Sequence, residues 1–186
     1  MTNILPGERI DDLQCKGYRL IQKPEGFCFG MDAVLLAHYT RVPKDAKVLD
    51  MCSGSGVIPI LLAGISIGSH FTGLELQEAY SGMACRSIEL NNLQDRVSMI
   101  QGDVKEAAGL FPSASFDVVT TNPPYINEKH GLTNPHEPKN IARHEIYLCL
   151  EDVIKAGAYV LREGGIFTMI HKPFRLPEII SLMKKY

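Results

Sequence analysis

The sequence runs Ala46-Lys-Val-Leu-Asp-Met51 and then Cys52-Ser-Gly-Ser-Gly56, and this junction decides the fold. The first segment predicts a buried strand, because apolar residues dominate it. The second segment is a loop of small residues, and residues 57–63 then predict a helix whose first turn tolerates Pro59. A strand, a glycine loop and a helix N-terminus together predict a nucleotide-binding turn.

Asp50 limits the class of ligand that this turn can bind. The loop has neither the GxGxxG spacing of dinucleotide-binding folds nor the Gly-Lys-Ser/Thr ending of a Walker loop. A carboxylate at the end of the strand repels phosphates, but it can accept from an ammonium group or hold the N–H groups of the loop. The sequence therefore predicts a nucleoside ligand that carries positive charge.

Further strands are predicted to end at a polar residue, as the first strand does. The strands predicted at 71–75, 97–100 and 116–119 lead into Glu75, Asp103 and Asn122, respectively. Ligands of open α/β sheets bind at the carboxyl ends of strands. Glu75 is expected to accept from both hydroxyls of a ribose, and its alternative is a helix-capping or surface glutamate. Asp103 is expected to accept from an adenine amino group.

The segment Asn122-Pro123-Pro124-Tyr125 follows the strand at 116–119. Two successive prolines cannot continue a strand, so a stiff turn is predicted here. The Asn122 side-chain oxygen and the Pro123 carbonyl can accept the two hydrogens of an amino group, and the Tyr125 ring can stack on a flat substrate. The alternative interpretation is a plain turn that ends the strand.

Strands and helices alternate along the chain, which predicts an α/β fold with a mostly parallel sheet and helices on both faces. A single domain is predicted over residues 1–186, with an N-terminal extension at 1–45 and the cofactor-binding and catalytic core at 46–186. The extension is expected to contain a hairpin at 8–22 that turns near Lys16-Gly17. Phe27 and Phe29 are expected either to belong to the core or to line a lid over a ligand.

Composition excludes several classes of protein. The chain is 45% hydrophobic and 22% charged with a net charge of −2, so it carries no global nucleic-acid signature. Its five cysteines form no CxxC pair, which favours reduced thiols in the cytoplasm over disulfides or a metal site. No signal peptide is recognised, and the apolar stretch at 57–67 is too short to span a membrane.

A polar stretch at 126–142 follows Tyr125 and is long for a loop in a compact domain. It is locally basic, with these cationic or titratable residues in or beside it: Lys129, His130, His136, Lys139, Arg143 and His144. Contact with a phosphate-bearing substrate is predicted, and the alternative is a solvated loop.

These motifs resemble those of class I S-adenosylmethionine-dependent methyltransferases, and the Asn-Pro-Pro-Tyr form is typical of enzymes that methylate amino groups. The resemblance implies a Rossmann-like sheet, S-adenosylmethionine as cofactor and no metal. It implies the following cofactor-binding residues: Asp50, Cys52, Ser53, Gly54, Gly56, Glu75, Leu76, Asp103, Val104 and Asn122. It implies that Asn122, Pro123, Pro124 and Tyr125 act on the acceptor.

A narrower resemblance rests on Phe27-Cys-Phe-Gly-Met-Asp-Ala-Val-Leu-Leu-Ala37, Ile141-Ala-Arg-His-Glu145 and His171-Lys-Pro-Phe-Arg-Leu176. These segments are similar to the bacterial tRNA-valine adenine-N6 methyltransferase family. The resemblance implies adenine N6 in the anticodon region of tRNA as the acceptor, with contacts from residues 126–144 and the N-terminal segment. The alternatives are a protein glutamine N5 methyltransferase and a non-catalytic cofactor- or RNA-binding module.

The sequence departs from the family in two places. A class I sheet ends with an antiparallel hairpin after the helix that is predicted to start near Leu176, whereas this sequence stops at Tyr186. We therefore expect a core that is truncated and lacks this hairpin. Cys52 and Ser53 stand where small residues are common.

Residues 146–161 predict the helix that precedes the last strand. This helix is expected to end in a glycine turn at 162–165, before a strand at 166–170.

Overall fold

The computed structural model describes residues 3–124 and 148–186. The strands are β1 (Arg9–Asp12), β2 (Arg19–Gln22), β3 (Lys47–Met51), β4 (His70–Glu75), β5 (Val97–Gln101), β6 (Phe116–Thr121) and β7 (Leu161–Met169). The helices are α1 (Met31–Tyr39), α2 (Val57–Ile65), α3 (Glu78–Leu90), α4 (Ala107–Leu110), α5 (Leu150–Val160) and α6 (Leu176–Lys185). Short 3-10 helices lie at Val104–Glu106 and Pro173–Arg175.

The central sheet has the strand order β5-β4-β3-β6-β7, and all its pairings are parallel. The chain enters this sheet at β3 in the centre, proceeds outward through β4 and β5, and then returns to the other side of β3 with β6. This reversal is a topological switch point, where α/β sheets open a crevice between neighbouring strands. The predicted α/β fold with a parallel sheet is confirmed.

An apolar core lies on each face of the sheet. On β3, Val48 joins the cluster beneath α1 and α2, whereas Leu49 joins the cluster beneath α4 and α5. Val118 and Val119 of β6 divide between the two faces in the same way. Strands that are buried on both faces need apolar residues on both, which explains their continuous apolar runs.

The N-terminal hairpin is confirmed and is attached to α3. β1 and β2 form a separate antiparallel pair, and the N–H of Tyr18 donates to the carbonyl of Cys15 at 2.8 Å to close the turn. Arg86 of α3 donates to both carboxylate oxygens of Glu8 at 2.6 and 2.7 Å. This contact holds the N-terminal segment against the helix and lowers the pKa of the Glu8 carboxyl.

The two phenylalanines of the extension pack against apolar clusters. Phe27 is half-buried against Ile21, Tyr80 and Met83, and Phe29 is half-buried against the cluster beneath α1 and α2. These contacts support the core interpretation of both rings.

The predicted end of the helix before β7 is wrong. Helix α5 ends at Val160, and the residues expected to form its glycine turn instead belong to β7. The register with β6 shifts there, because Phe116 pairs with Leu161 but Val118 pairs with Ile166. Gly164 has a φ of 71° in this irregularity, as expected for a glycine in a β-bulge.

The described residues end with α6, which packs on α5 through Ile179 and Leu182. Within residues 3–124 and 148–186, β7 is the outermost strand on its side of the sheet. The domain limits and the truncated core remain predictions. No helix in the described part of the chain is both long and apolar enough to cross a membrane.

Two helical glycines give a matched test of the core. A Cβ at Gly157 of α5 would lie 2.2 Å from Cε2 of Phe167, whereas a Cβ at Gly82 of α3 would meet nothing within 4 Å. We expect Gly157→Ala to lower the free energy of unfolding by about 1–3 kcal/mol through overpacking. Gly82→Ala should raise it by about 0.5–1 kcal/mol, because alanine favours helix. Urea unfolding measures both, and equal effects would contradict the packing of Phe167 on α5.

Candidate active site

The carboxyl ends of β3 and β6 meet at the switch point of the sheet. Met51 is the Cα partner of Thr121, so the glycine loop after β3 begins level with Asn122 after β6. The Thr121 hydroxyl donates to the Met51 carbonyl at 3.1 Å, and the N–H of Ile170 donates to the Thr121 carbonyl at 3.2 Å. The chain that leads into Asn122 is thus held from both sides.

The glycine loop has a tight backbone. The N–H of Ser53 donates to the carbonyl of Leu74 at 3.0 Å, and the N–H of Gly56 donates to the carbonyl of Ser53 at 3.0 Å. Gly54 and Gly56 have φ of 55° and 80°. A Cβ at Gly54 would meet nothing within 4 Å, so open space adjoins the loop there. A Cβ at Gly56 would lie 2.9 Å from Cβ of Ala84, so this glycine permits close packing on α3.

Cys52 adopts the left-handed backbone conformation, with a φ of 60°. That conformation costs about 1 kcal/mol for a residue with a side chain. Burial raises the pKa of its thiol, and the negative charges of Glu75 and Asp50 raise it further. The thiol therefore stays protonated and is a poor nucleophile. Cys52 shapes the loop through its backbone.

Glu75 connects β4 to the glycine loop. The carboxylate is buried, with 6% of the residue exposed, and its Oε2 accepts from the N–H of Gly54 at 2.8 Å. Its Oε1 accepts from the N–H of Gln77 at 2.9 Å, directly before α3. Burial raises the pKa of this carboxyl, and the hydrogen bonds from Gln77 and Gly54 oppose the rise.

Asp50 is fully buried beneath the loop. Its Oδ1 accepts from the Thr120 hydroxyl at 2.7 Å. Within residues 3–124 and 148–186, neither its Oδ2 nor the Oγ of nearby Ser53 forms a hydrogen bond. Burial raises the pKa of the carboxyl to about 7, the proximity of the Ser53 hydroxyl and the hydrogen bond from Thr120 oppose the rise, and the charge of Glu75 adds to it. A buried carboxyl with one unsatisfied oxygen suits a cationic group.

Space beneath the loop depends on Gly73, which the sequence analysis did not identify. Gly73 is the Cα partner of Asp50 on one side and of Met99 on the other. A Cβ there would lie 2.3 Å from Sδ of Met99 and 2.7 Å from Oγ of Ser53. The absent side chain thus lets Ser53 approach the sheet.

Asp103 lies beside Glu75, at the same edge of the sheet. The N–H of Gly102 donates to the carbonyl of Glu75 at 2.9 Å, which aligns the two segments. Asp103 Oδ1 accepts from the N–H of Lys105 at 2.9 Å, and Asp103 thereby caps the 3-10 helix. Val104 is buried in the core, whereas Leu76 is 43% exposed.

The acceptor motif is described only in part. Asn122 and Pro124 are half-buried, and Pro123 is buried. Tyr125 and residues 126–144 lie outside the described residues, so the predicted stacking and the predicted contact through the basic loop stay predictions. No group of three or more His, Cys, Asp or Glu side chains in residues 3–124 and 148–186 is arranged to hold a metal ion.

The chain is similar to known proteins in sequence. The family model described as methyltransferase small domain matches residues 29–184. The tRNA1(Val) (adenine(37)-N6)-methyltransferase of Bacteroides thetaiotaomicron is 31% identical over 144 residues, which cover 76% of this chain and 58% of that protein. The ribosomal protein uL3 glutamine methyltransferase of Bordetella pertussis is 34% identical over 116 residues, which cover 62% of this chain and 37% of that protein. The matched part is thus less than two thirds of either relative.

Solved structures share the fold. A predicted O-methyltransferase of Agrobacterium tumefaciens, Atu636, has a TM-score of 0.64 at 23% identity, covering 82% of this chain and 66% of that chain. The Pyrococcus abyssi tRNA (uracil-54, C5)-methyltransferase, in complex with S-adenosyl-L-homocysteine, has a TM-score of 0.62 at 17% identity, covering 95% of this chain and 38% of that chain. At these identities the likeness concerns the fold alone, and it confirms the predicted Rossmann-like architecture.

The burial of Asp50 predicts a pH-dependent stability. Its folded pKa of about 7 lies above the ordinary value of 3.8, so the folded chain holds this proton more tightly than the unfolded chain. The bound proton stabilises the folded chain fully at pH values below 3.8, and this stabilisation is lost as the pH rises through about 7. Asparagine cannot ionise. The free energy of unfolding of Asp50→Asn, relative to that of the wild type, should therefore rise by about 2 kcal/mol between pH 5 and pH 7.

Urea unfolding of both proteins across this range measures the difference. The difference in the free energy of unfolding should level off above pH 7, where the wild-type carboxyl is ionised, so the titration is continued to higher pH. Parallel pH profiles for the two proteins would contradict the assignment of the buried titrating group to Asp50.

Proposed function

The chain belongs to the methyltransferase small domain family, and from this premise we propose that it transfers the methyl group of S-adenosylmethionine to adenine N6 in tRNA. The observation that carries the proposal is the meeting of two segments at the switch point. The glycine loop, with the unsatisfied Asp50 Oδ2 beneath it, lies level with Asn122 through the pairing of Met51 and Thr121.

The residues around the glycine loop fit this cofactor. Asp50 Oδ2 is an acceptor for its cationic amino end, and the open space at Gly54 allows close approach to the backbone. Glu75 would accept from the ribose hydroxyls with its remaining lone pairs, and Asp103 from the adenine amino group.

The remaining members of the proposed cofactor site flank these contacts. They are Cys52, Ser53 and Gly56 in the loop, Leu76 after Glu75, Val104 after Asp103, and Asn122 at the acceptor side. Asp103 receives the N–H of Lys105 through Oδ1, and its Oδ2 lies 3.6 Å from Lys105 Nζ. The adenine amino group is proposed to donate to Oδ2 beside this ammonium group.

The acceptor side needs no covalent enzyme intermediate. When bound, the cofactor supplies an electrophilic sulfonium methyl group. The Asn122 side-chain oxygen and the Pro123 carbonyl would accept both hydrogens of the target amino group, so that its lone pair is free to attack. Pro124 stiffens the turn, and Tyr125 would stack on the base. Positioning and electrostatics then supply most of the rate, and the proton can leave after transfer.

A nucleic-acid substrate is favoured by the surface beside Asn122. The N–H of Ile170 donates to the Thr121 carbonyl, so the residues after β7 begin at the same edge as the acceptor motif. Further along the same segment, Lys172 is exposed and Phe174 is 75% exposed. Exposed aromatic rings stack on unpaired bases and lysines contact phosphates. The adenine-N6 name of the Bacteroides relative points in the same direction.

A protein glutamine side chain is the second candidate acceptor. The relative from Bordetella pertussis carries that activity in its name, and a planar amide could use the same Asn122 and Pro123 acceptors. A non-catalytic module that binds cofactor or RNA is the third reading. The two catalytic candidates differ in their products, which can be measured directly.

Incubation with S-adenosylmethionine and unmodified bulk tRNA tests the proposal. We expect N6-methyladenosine in the nucleoside digest by mass spectrometry. Asn122→Ala should abolish it while cofactor binding stays largely intact, because Asn122 lies at the acceptor side of the cofactor site and the variant removes an acceptor for the substrate amino group. Near-normal turnover by this variant would show that Asn122 does not hold the acceptor.

Two control reactions separate the alternatives. Methylglutamine in ribosomal protein uL3, with no methylated adenosine in tRNA, would replace the proposal by the glutamine reaction. Cofactor binding without methyl transfer to either substrate would favour the non-catalytic module.

A further inference from the structure

Thr120 is one of two threonines at the end of β6, after the apolar pair Val118 and Val119. It is fully buried, and it is the Cα partner of Asp50 across the central strand pair. Its hydroxyl donates to Asp50 Oδ1 at 2.7 Å. Because a buried hydroxyl is costly without a partner, the pair fixes both side chains. The hydroxyl thus occupies Oδ1 and leaves Oδ2 as the acceptor available to a ligand.

The surroundings of Asp50 disfavour its charge. Glu75 of the neighbouring strand β4 adds a negative charge, and the thiol of Cys52 in the loop is held in its protonated form. Ser53 and Thr120 contribute uncharged hydroxyls. No cation is among the groups that act on Asp50 within the described residues. The carboxyl is therefore protonated in a substantial fraction of free molecules near neutral pH.

We propose that binding of the cationic cofactor releases a proton from Asp50, and that Thr120 is a positioning residue that sets the pH range of this release. The proposal rests on the proposed function, because it needs S-adenosylmethionine as the ligand. On binding, the O–H bond of the Asp50 carboxyl breaks and its proton passes to the buffer. The carboxylate that remains accepts from the ammonium group of the cofactor through Oδ2.

Thr120 controls this step through a hydrogen bond that favours the ionised form. A hydroxyl that donates to a carboxylate stabilises the negative charge, and its removal makes ionisation harder. The same strand continues through Thr121 into Asn122. One buried hydrogen bond therefore connects the strand of the acceptor motif to the carboxyl that takes the cofactor.

Thr120→Val and Thr120→Ser are matched variants for the test. Valine keeps the shape of threonine without its hydroxyl, whereas serine keeps the hydroxyl. Calorimetry would measure S-adenosylmethionine affinity for the wild type and both variants from pH 6 to pH 9. Each titration is done in two buffers of different protonation enthalpy.

Wild-type affinity should rise with pH to about 7 and then level off, and below pH 7 the binding heat should depend on the buffer. Thr120→Val should move the midpoint of this profile to higher pH by about one unit, so that binding below pH 7 is about tenfold weaker than in the wild type. Thr120→Ser should keep the wild-type profile.

Several results would overturn the inference. Wild-type affinity and heat that do not depend on pH and buffer would remove the proton release while leaving the proposed function intact. Equal profiles for the valine and serine variants would remove the role of the Thr120 hydroxyl. Absence of binding by the wild type at every pH would contradict the proposed function together with this inference.

A second measurement does not depend on binding. A carbon NMR titration of the Asp50 carboxyl in the free wild type and the serine variant should show the same midpoint near pH 7. A midpoint near the ordinary value for aspartate would overturn the proposal, even where the valine variant fails to fold.

Discussion

The pairing of β3 with β6 is the constraint on which the site depends. Asp50 faces Thr120 and Met51 faces Thr121 across this pair, so a shift by one residue would turn Asp50 to the opposite face of the sheet. The hydroxyls of Thr120 and Thr121 both bond back to β3, one to a carboxyl and one to a carbonyl. These two bonds align the glycine loop with Asn122, and with it the two halves of the proposed reaction.

Much of the fold could be predicted because local patterns and topology agree. Apolar strand runs, the glycine loop and the alternation of strands with helices all indicate a parallel sheet with covered faces. The glycines at 164 and 165 misled the prediction, because they resemble a helix end. Arg162 instead pairs with Asp117 on β6 and keeps the chain along the sheet. That contact joins residues far apart in sequence, so no local pattern announces it.

The candidate site was predictable to the extent that strand ends meet at one edge. Asp50, Glu75 and Asp103 could be grouped from the sequence alone for this reason. The roles of Thr120 and Gly73 could not be predicted, because both depend on the register between strands. Two threonines at the end of an apolar strand are nevertheless a usable sequence signal. The bond from Gly54 to Glu75 also required the folded geometry.

The left-handed conformation of Cys52 has a consequence for the entropy of ligand binding. A glycine at this position would reach the same φ at lower cost and would also visit many others. A residue with a side chain samples fewer conformations, and the buried bonds of the neighbouring Ser53 and Gly54 restrict it further. The loop is therefore preorganised in the empty protein. Less conformational freedom is left to lose when a ligand arrives, so more of the contact energy appears as affinity.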